Sequence, residues 1–222
     1  MRKYEFTGET KEISLYGRKV TLHRIKAVIE FGLIKVGEVG GWIEKESNLS
    51  HDNKSWVYCN AEVYGDAKVW GNAEVYGDAK VWGNAEVYGD AEVYGDAEVW
   101  GNAEVYGDAK VWGNAEVYGD AKVYGDAKVW GNAEVYGDAK VYRMDHILVI
   151  GPAGSRNDFT TFYRDKDNEI TVKCGCFLGK IDKFLEKVAQ THKDNKYAVV
   201  YRTAVELAKL QIDLSKENEA NE

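Results

Sequence analysis

Ala61-Glu-Val-Tyr-Gly-Asp66 and Ala67-Lys-Val-Trp-Gly-Asn72 begin a stretch in which one six-residue unit, Ala-(Glu/Lys)-Val-(Tyr/Trp)-Gly-(Asp/Asn), recurs without a gap to Lys140. Repetition this regular decides the architecture before any single residue is weighed. In extended backbone, successive side chains leave on opposite faces, so Ala and Val of each unit share one face while Glu/Lys and Tyr/Trp share the other. The Gly-(Asp/Asn) pair then turns the chain, since both residue types tolerate positive φ. Strands of about four residues joined by identical corners do not reverse into hairpins; the chain coils. Three sides close a coil of 18 residues, and successive coils stack about 4.8 Å apart in parallel register.

Every eighteenth residue then falls in one outward column. The first reads Tyr58, Tyr76, Tyr94, Trp112, Trp130; the second Tyr64, Trp82, Trp100, Tyr118, Tyr136; the third Trp70, Tyr88, Tyr106, Tyr124, Tyr142. Aromatic neighbours in register support a sheet by stacking on one another, which is the leading expectation for all three columns. An exposed stripe, marked by Trp70, Trp82, Trp100, Trp112 and Trp130, is also a surface for a sugar, a base or a partner. The corners align Asp and Asn, as in Asp66, Asn84, Asn102, Asp120 and Asp138. Hydrated carboxylates are expected there, because no loop offers the roughly six to eight oxygens that calcium takes.

A small residue two places before an inward aliphatic one is the unit of the hexapeptide-repeat proteins, and residues 57–142 resemble their left-handed β-helix. Val63, Val69, Val75 and their successors take the aliphatic place, and Ala61, Ala67, Ala73 and theirs the small one. The fold class expected is mainly β: a three-sided left-handed parallel β-helix with a small C-terminal α+β cap. The left hand is implied by the resemblance alone, since ordinary parallel crossovers are right-handed. The resemblance also implies a homo-oligomer, with a trimer favoured. The flanking segments Gly40-Gly-Trp-Ile-Glu44 and His146-Ile-Leu-Val-Ile-Gly-Pro-Ala-Gly-Ser-Arg-Asn-Asp-Phe-Thr-Thr-Phe-Tyr-Arg164 look like parts of bacterial and prophage-borne hexapeptide-repeat proteins. That narrower resemblance implies a structural part or a host-directed factor and no established activity.

The 222 residues are 45% hydrophobic and 30% charged, with one proline, a composition that excludes a disordered chain. The net charge of -8 is unevenly spread. Residues 1–60 carry 10 Lys/Arg against 8 Asp/Glu, residues 61–140 carry 6 against 16, and residues 141–222 carry 13 against 13. The repeat thus holds all the negative excess and should repel nucleic-acid phosphates. Cys59, Cys174 and Cys176 have no disulfide-framework spacing and fit a reducing compartment. The charged start Met1-Arg-Lys-Tyr-Glu-Phe6 has no apolar leader, and no run approaches the roughly 18 apolar residues of a membrane span. A cytoplasmic protein without membrane or nucleic-acid partners is expected.

Outside the repeat, Lys11–Leu15 and Lys19–Ile29 read as strands around the turn Tyr16-Gly-Arg18, with a helical turn as the alternative over Ile25–Phe31. A degenerate unit starts by Trp42, and Ser47–Ser55 reads as a loop. After Tyr142, strands are expected at His146–Ile150, Phe159–Tyr163 and Ile170–Cys174. Helical spacing follows in Ile181, Phe184, Leu185, Val188 and in Tyr197, Val200, Tyr201, Ala204, Ala208. The division expected is 1–56 for N-terminal strands leading into the helix, 57–142 for the β-helix, 143–214 for the cap and 215–222 for a solvated tail. A cap serves a purpose in itself, because the last coil leaves unpaired backbone and a bare apolar end.

Hexapeptide β-helices include acyltransferases, which commonly use a histidine beside a cleft between coils, and carbonic anhydrases with three histidine ligands. Residues 61–140 contain neither histidine nor cysteine nor inserted loop, and His23, His51, His146 and His192 are dispersed through the flanks. Neither metal nor cofactor is expected; Cys174-Gly-Cys176 with His192 makes at most an incomplete metal site. The loop Gly151–Asp158 is the better place for a ligand. Ser155, Arg156, Asn157 and Asp158, with Thr160 beyond, combine hydroxyls, a guanidinium, an amide and a carboxylate, a set that suits a phosphate or carboxylate. The Walker pattern is absent, and a loop wired by its own hydrogen bonds is the plainer reading. The leading expectation is a non-catalytic, rigid binding or scaffold protein with a small ligand or a protein as partner. The alternatives are a protein that sequesters a phosphorylated or nucleotide ligand at residues 151–158 and an acyltransferase-like enzyme.

Overall fold

A computed structural model describes residues 1–215; of the tail expected over 215–222, all but Ser215 lies outside the described residues. The centre of the molecule is a β-solenoid of about 6 turns made of parallel stacked coils. Face one carries Trp56–Val57, Glu74–Val75, Glu92–Gly95, Lys110–Gly113 and Lys128–Val129. Face two carries Val39–Ile43, Glu62–Val63, Lys80–Val81, Glu98–Val99, Glu116–Val117 and Glu134–Val135. Face three carries Lys68–Val69, Glu86–Val87, Glu104–Val105, Lys122–Val123 and Lys140–Val141. Within the repeat each residue pairs with the one 18 further on, as Val93 with Val111 and Val105 with Val123.

The period-two reading accounts for the interior. Every Ala and Val of the units from Ala61 to Val141 is fully buried, at 0% exposure, and together they form one continuous core. The corners account for the glycines. Gly101, with φ +75°, lies so near Gly119 that an added Cβ would stand 3.0 Å from both its N and its O. Positive φ and the absence of a side chain are therefore both required.

The first coil is less regular than those above it. Ile43 and Leu49 stand over Val63 and Val69, 20 residues on, whereas Val57 stands over Val75, 18 residues on. Two extra residues between Leu49 and Val57 make the short bulging segment expected as a loop, preceded by a 3-10 turn at Glu46–Asn48. Asn48 is buried there and donates to the carbonyls of Gly65 and Ala67 at 3.1 and 2.8 Å. Cys59 occupies a glycine corner with φ 50° and is exposed. Left-handed backbone costs a non-glycine residue about 1–2 kcal/mol, partly offset by the extra freedom glycine has when unfolded. Cys59→Gly is therefore expected to raise stability by about 0.5–1 kcal/mol in urea unfolding, and Cys59→Ala not to raise it.

Both ends of the core are covered. Tyr4–Leu15 and Arg18–Ala27 form an antiparallel hairpin, longer than the sequence suggests, that joins face two through Val39–Ile43; Ile25–Ala27 is strand, so the helical alternative does not form. Its Leu22 packs with Trp42 and Tyr64, and Ile13, Leu15, Val20 and Trp82 gather around them, so the hairpin folds over the start of the second aromatic column. At the other end Ile147 and Tyr163 join the core. The Tyr163 hydroxyl donates to the Tyr136 carbonyl at 2.8 Å, and the Glu134 N–H donates to Thr161 Oγ1 at 3.0 Å.

The cap is a four-stranded antiparallel sheet, Ile147–Ala153, Asp158–Arg164, Ile170–Cys174 and Phe177–Lys180, with α1 (Ile181–His192) and α2 (Lys196–Gln211) packed on it. The fourth strand has no alternating pattern in the sequence and forms as the return of a tight turn at Gly175-Cys176. On α2 the buried residues are Ala198, Tyr201, Ala204, Val205 and Ala208, whereas Val200, placed on that face by spacing, is 38% exposed. Neither helix of the described residues is long and apolar enough to cross a membrane.

Candidate functional site

The loop expected at Gly151–Asp158 is shorter than its sequence suggests. Gly151–Ala153 stay in the strand, so the turn is only Gly154–Asn157, with Asn157 at φ 50°. Two glycines shape it for named side chains. An added Cβ on Gly154 would stand 2.2 Å from the Tyr201 hydroxyl oxygen, and one on Gly175 would stand 2.2 Å from Arg156 Nη1. The turn is thus seated on α2 through Tyr201, and Arg156 lies across the bend between Cys174 and Cys176.

Three of the five candidate residues converge at this tip. The Ser155 backbone N–H donates to the Tyr201 hydroxyl at 3.2 Å, and Ser155 Oγ lies 3.4 Å from His192 Nε2. The Arg156 side chain is 57% exposed, with Asp158 Oδ2 3.9 Å from its Nη2. Asp158 starts the next strand and accepts from the Phe159 N–H at 2.8 Å. Thr160 does not join them: it is buried, and its hydroxyl donates to Cys174 Sγ at 3.2 Å. Thr160 pairs instead with Cys174, whose side chain packs against the core under α1 and α2.

His192 and Tyr201 had no place in the sequence argument for this loop. They come from the end of α1 and the middle of α2, and only tertiary packing brings them to residue 155. The His192 ring lies 5.6 Å from that of Tyr201 and 5.9 Å from that of Tyr197. Chemically the tip offers an imidazole against a hydroxyl, an exposed arginine side chain beside Asp158, and the half-buried Tyr197 ring next to the imidazole. No carboxylate among the described residues orients His192, so the pair is two members of a triad and not three. Cys174, Cys176 and His192 form no metal centre, as no group of three or more His, Cys, Asp or Glu among the described residues is placed to hold one. All three cysteines are free thiols.

The aromatic columns are ladders of stacked rings, except that Tyr58 meets Tyr76 edge-on at 83°. Trp82 and Trp100 lie 4.8 Å apart at 4°, Tyr88 and Tyr106 4.7 Å apart at 1°. Trp112 and Trp130 lie 5.7 Å apart, and Trp70 and Tyr88 4.3 Å apart. Several phenols also donate to a glutamate of the next coil, as Tyr76 to Glu92 at 2.9 Å and Tyr88 to Glu104 at 3.0 Å. Burial, aided by these glutamates, pushes both phenols well above the usual tyrosine range. Ring faces are thus occupied by neighbours along the axis. Trp70 and Trp130, which end columns, are the most exposed at 40% and 39%.

A second charged cluster sits where the third column meets the cap. Arg164, almost buried, lies over the Tyr142 ring at 4.8 Å and against His146 Nε2 at 3.2 Å. Burial first, then the charges of Arg164 and Arg143, pull the His146 pKa down to about 4, although Asp145 and Asp213 oppose the shift. The imidazole is neutral there and serves packing.

No protein-family model matches the chain. A segment of 76 residues, 32% of the chain, is 33% identical to part of a protein of Escherichia coli (strain K12) called "Uncharacterized acetyltransferase YdcK". The match covers 23% of that protein, so the chain corresponds to less than a quarter of its length. Together the stacked coils and this similarity fit a hexapeptide-repeat β-helix.

Proposed function

We propose that the chain is acyltransferase-like and that its working surface is the tip of the cap. In this reading Arg156 holds the phosphates of a coenzyme A thioester, Tyr197 flanks it, and His192 accepts the proton of the attacking acceptor. The acceptor's lone pair adds to the thioester carbonyl, its proton passes to His192 Nε2, and the thiolate leaves. The observation that carries the reading is the 3.4 Å contact between Ser155 Oγ and His192 Nε2 beside an unburied guanidinium. The similarity to a protein named as an acetyltransferase supports it. The test uses acetyl-coenzyme A with mass-spectrometric detection of free coenzyme A. Arg156→Ala should abolish thermal stabilisation by acetyl-coenzyme A. His192→Ala should keep that stabilisation and lower turnover by about 10²-fold or more. Absence of any stabilisation, or turnover unchanged in His192→Ala, would overturn the reading.

A second reading, a rigid non-catalytic binding or scaffold protein, is favoured by the solenoid itself. Its repeat units run from Ala61 to Val141 without an inserted loop, and their aromatic rings stack on one another. The flanks' likeness to prophage-borne proteins, a homotrimer and a cytoplasmic setting belong to this reading as proposals. It predicts no turnover of acetyl-coenzyme A, in a particle whose native mass is three chains.

A further inference from the structure

The cap covers the apolar end of the solenoid but leaves one rim of backbone open. In the coil below the last, N–H groups of face one donate upward, Lys110 to the Ala127 carbonyl at 2.9 Å and Asn114 to that of Gly131 at 2.8 Å. The corresponding groups of the last coil belong to Lys128, Trp130 and Asn132, and none has an acceptor among the described residues. Lys128–Val129 is accordingly an edge strand of its five-stranded sheet. On the other faces the cap stands in for the missing coil: Thr161 Oγ1 accepts from the Glu134 N–H at 3.0 Å, and His146 Nδ1 from the Tyr142 N–H at 3.4 Å. The Tyr136 and Asp138 N–H groups also lack acceptors, but Asp158–Arg164 and the turn after it run over them, with the Lys166 N–H on the Asp138 carbonyl at 2.9 Å.

Exposure marks the same place. Lys110, Trp112 and Gly113 are half-buried under the last coil, whereas Lys128, Trp130 and Gly131 are exposed. An added Cβ on Gly113 would stand 3.0 Å from the Gly131 N, and one on Gly131 would meet nothing within 4 Å. An open edge is a template for another strand, and proteins ordinarily cover, charge or shorten one. Alternate N–H groups without acceptors point to a strand that the described residues do not supply.

The side chains along the rim limit what that strand can be. Lys128 stands in register over Lys110, which is held by Glu92 one coil further down at 2.7 Å. With a like charge beneath it and no ion pair among the described residues, Lys128 is complemented by a carboxylate above. Trp130 stacks on Trp112 at 5.7 Å with one face, so a flat ring on the other continues the ladder. Val129 between them is fully buried where Ile147 joins the core, which leaves room for a small inward side chain alone.

We propose that this rim binds an extended segment of a partner protein, laid parallel to residues 128–132, in which an acid, a glycine or alanine and an aromatic residue follow one another. The acid lies over Lys128, the ring over Trp130, and carbonyls of the segment accept the three N–H bonds. The surface is separate from the tip of the cap and does not depend on the acyl-transfer reading. Nuclear magnetic resonance of the isotope-labelled full chain with the peptide acetyl-Gly-Glu-Ala-Trp-Gly-Asn-amide tests it. The Lys128, Trp130 and Asn132 amide signals should shift, and their hydrogen exchange should slow roughly tenfold at saturation. Lysine in place of the peptide's Glu should weaken binding roughly fivefold. Lys128→Glu should reverse that preference, whereas Lys140→Glu, which changes the net charge equally on face three, should leave it as it was. Absence of shifts at millimolar peptide, or a preference unmoved in Lys128→Glu, overturns the proposal. So does slow exchange of the three amides in the protein alone: relief on removing residues 216–222 would assign the rim to the chain's own end, and relief on dilution to a second copy.

Discussion

Deleting residues 103–105 is expected to prevent folding, whereas deleting residues 97–114 shortens the solenoid by one coil and lowers the melting temperature by only a few degrees. The difference lies in phase. Each inward Val rests on the Val 18 residues away, and each glycine corner rests on a glycine corner. Loss of three residues sets every later Val above a corner and turns apolar side chains outward, a register slip that no single contact repairs. Loss of 18 leaves every pairing intact, because coils contact their nearest neighbours and stability accumulates coil by coil. Deletion of residues 103–108 is the informative intermediate. It keeps Val over Val but turns the cap by one face relative to the N-terminal hairpin. Folding should survive, and any property that needs the hairpin and the cap on a given pair of faces should not. Circular dichroism melts of the three deletions check this. A folded 103–105 deletion, or a 103–108 deletion as damaged as it, would show that hexad phase is not what holds the solenoid.

The second large effect concerns acid. His146 is fully buried, and its pKa falls from 6.5 to about 4 in the folded chain. As pH drops below 6.5, the unfolded chain takes up a proton that the folded chain refuses, so stability is full above that value, falls between 6.5 and 4, and levels off below. The loss from this group is on the order of 3 kcal/mol across the window. Asp165 acts at lower pH: burial opposes its ionisation, but Lys180, Thr171 and two backbone N–H groups outweigh burial and depress its pKa, so its stabilisation is lost in stronger acid. His146→Gln retains an acceptor for the Tyr142 N–H and cannot titrate, so its unfolding free energy should fall much less between pH 6.5 and 4.5, the remaining slope coming from His51, whose pKa burial also lowers. An unchanged slope in that variant would assign the acid loss to other groups.

The candidate tip shows where sequence reasoning ends. Ser155 and Arg156 were legible because a polar run directly behind Gly151 and Gly154 announces a turn. Thr160 was not separable from them, since inward and outward residues on a strand look alike until the sheet has a covered side. His192 lies 37 residues from Ser155 in the chain, and its approach depends on two helices folding back over the sheet. A helical stripe drawn through Val200 missed Val205, because the sheet under α2 meets the helix along a line rotated from the most apolar one. In the first coil, Leu49 was hidden by the two extra residues before Val57, which break the period that reveals the others.

Sequence alone determined the solenoid: the alternation of Ala and Val, the glycine corner and the 18-residue recurrence are local rules, each satisfied within one coil and its neighbour. Local rules of that kind can be read without knowing the rest of the molecule. Tertiary structure alone decided what the solenoid's surface becomes. It folded the N-terminal hairpin over Tyr64 and Trp82 and brought His192 to Ser155. Those contacts join segments far apart in the chain, and their free energy depends on the shapes of both partners, which no period records.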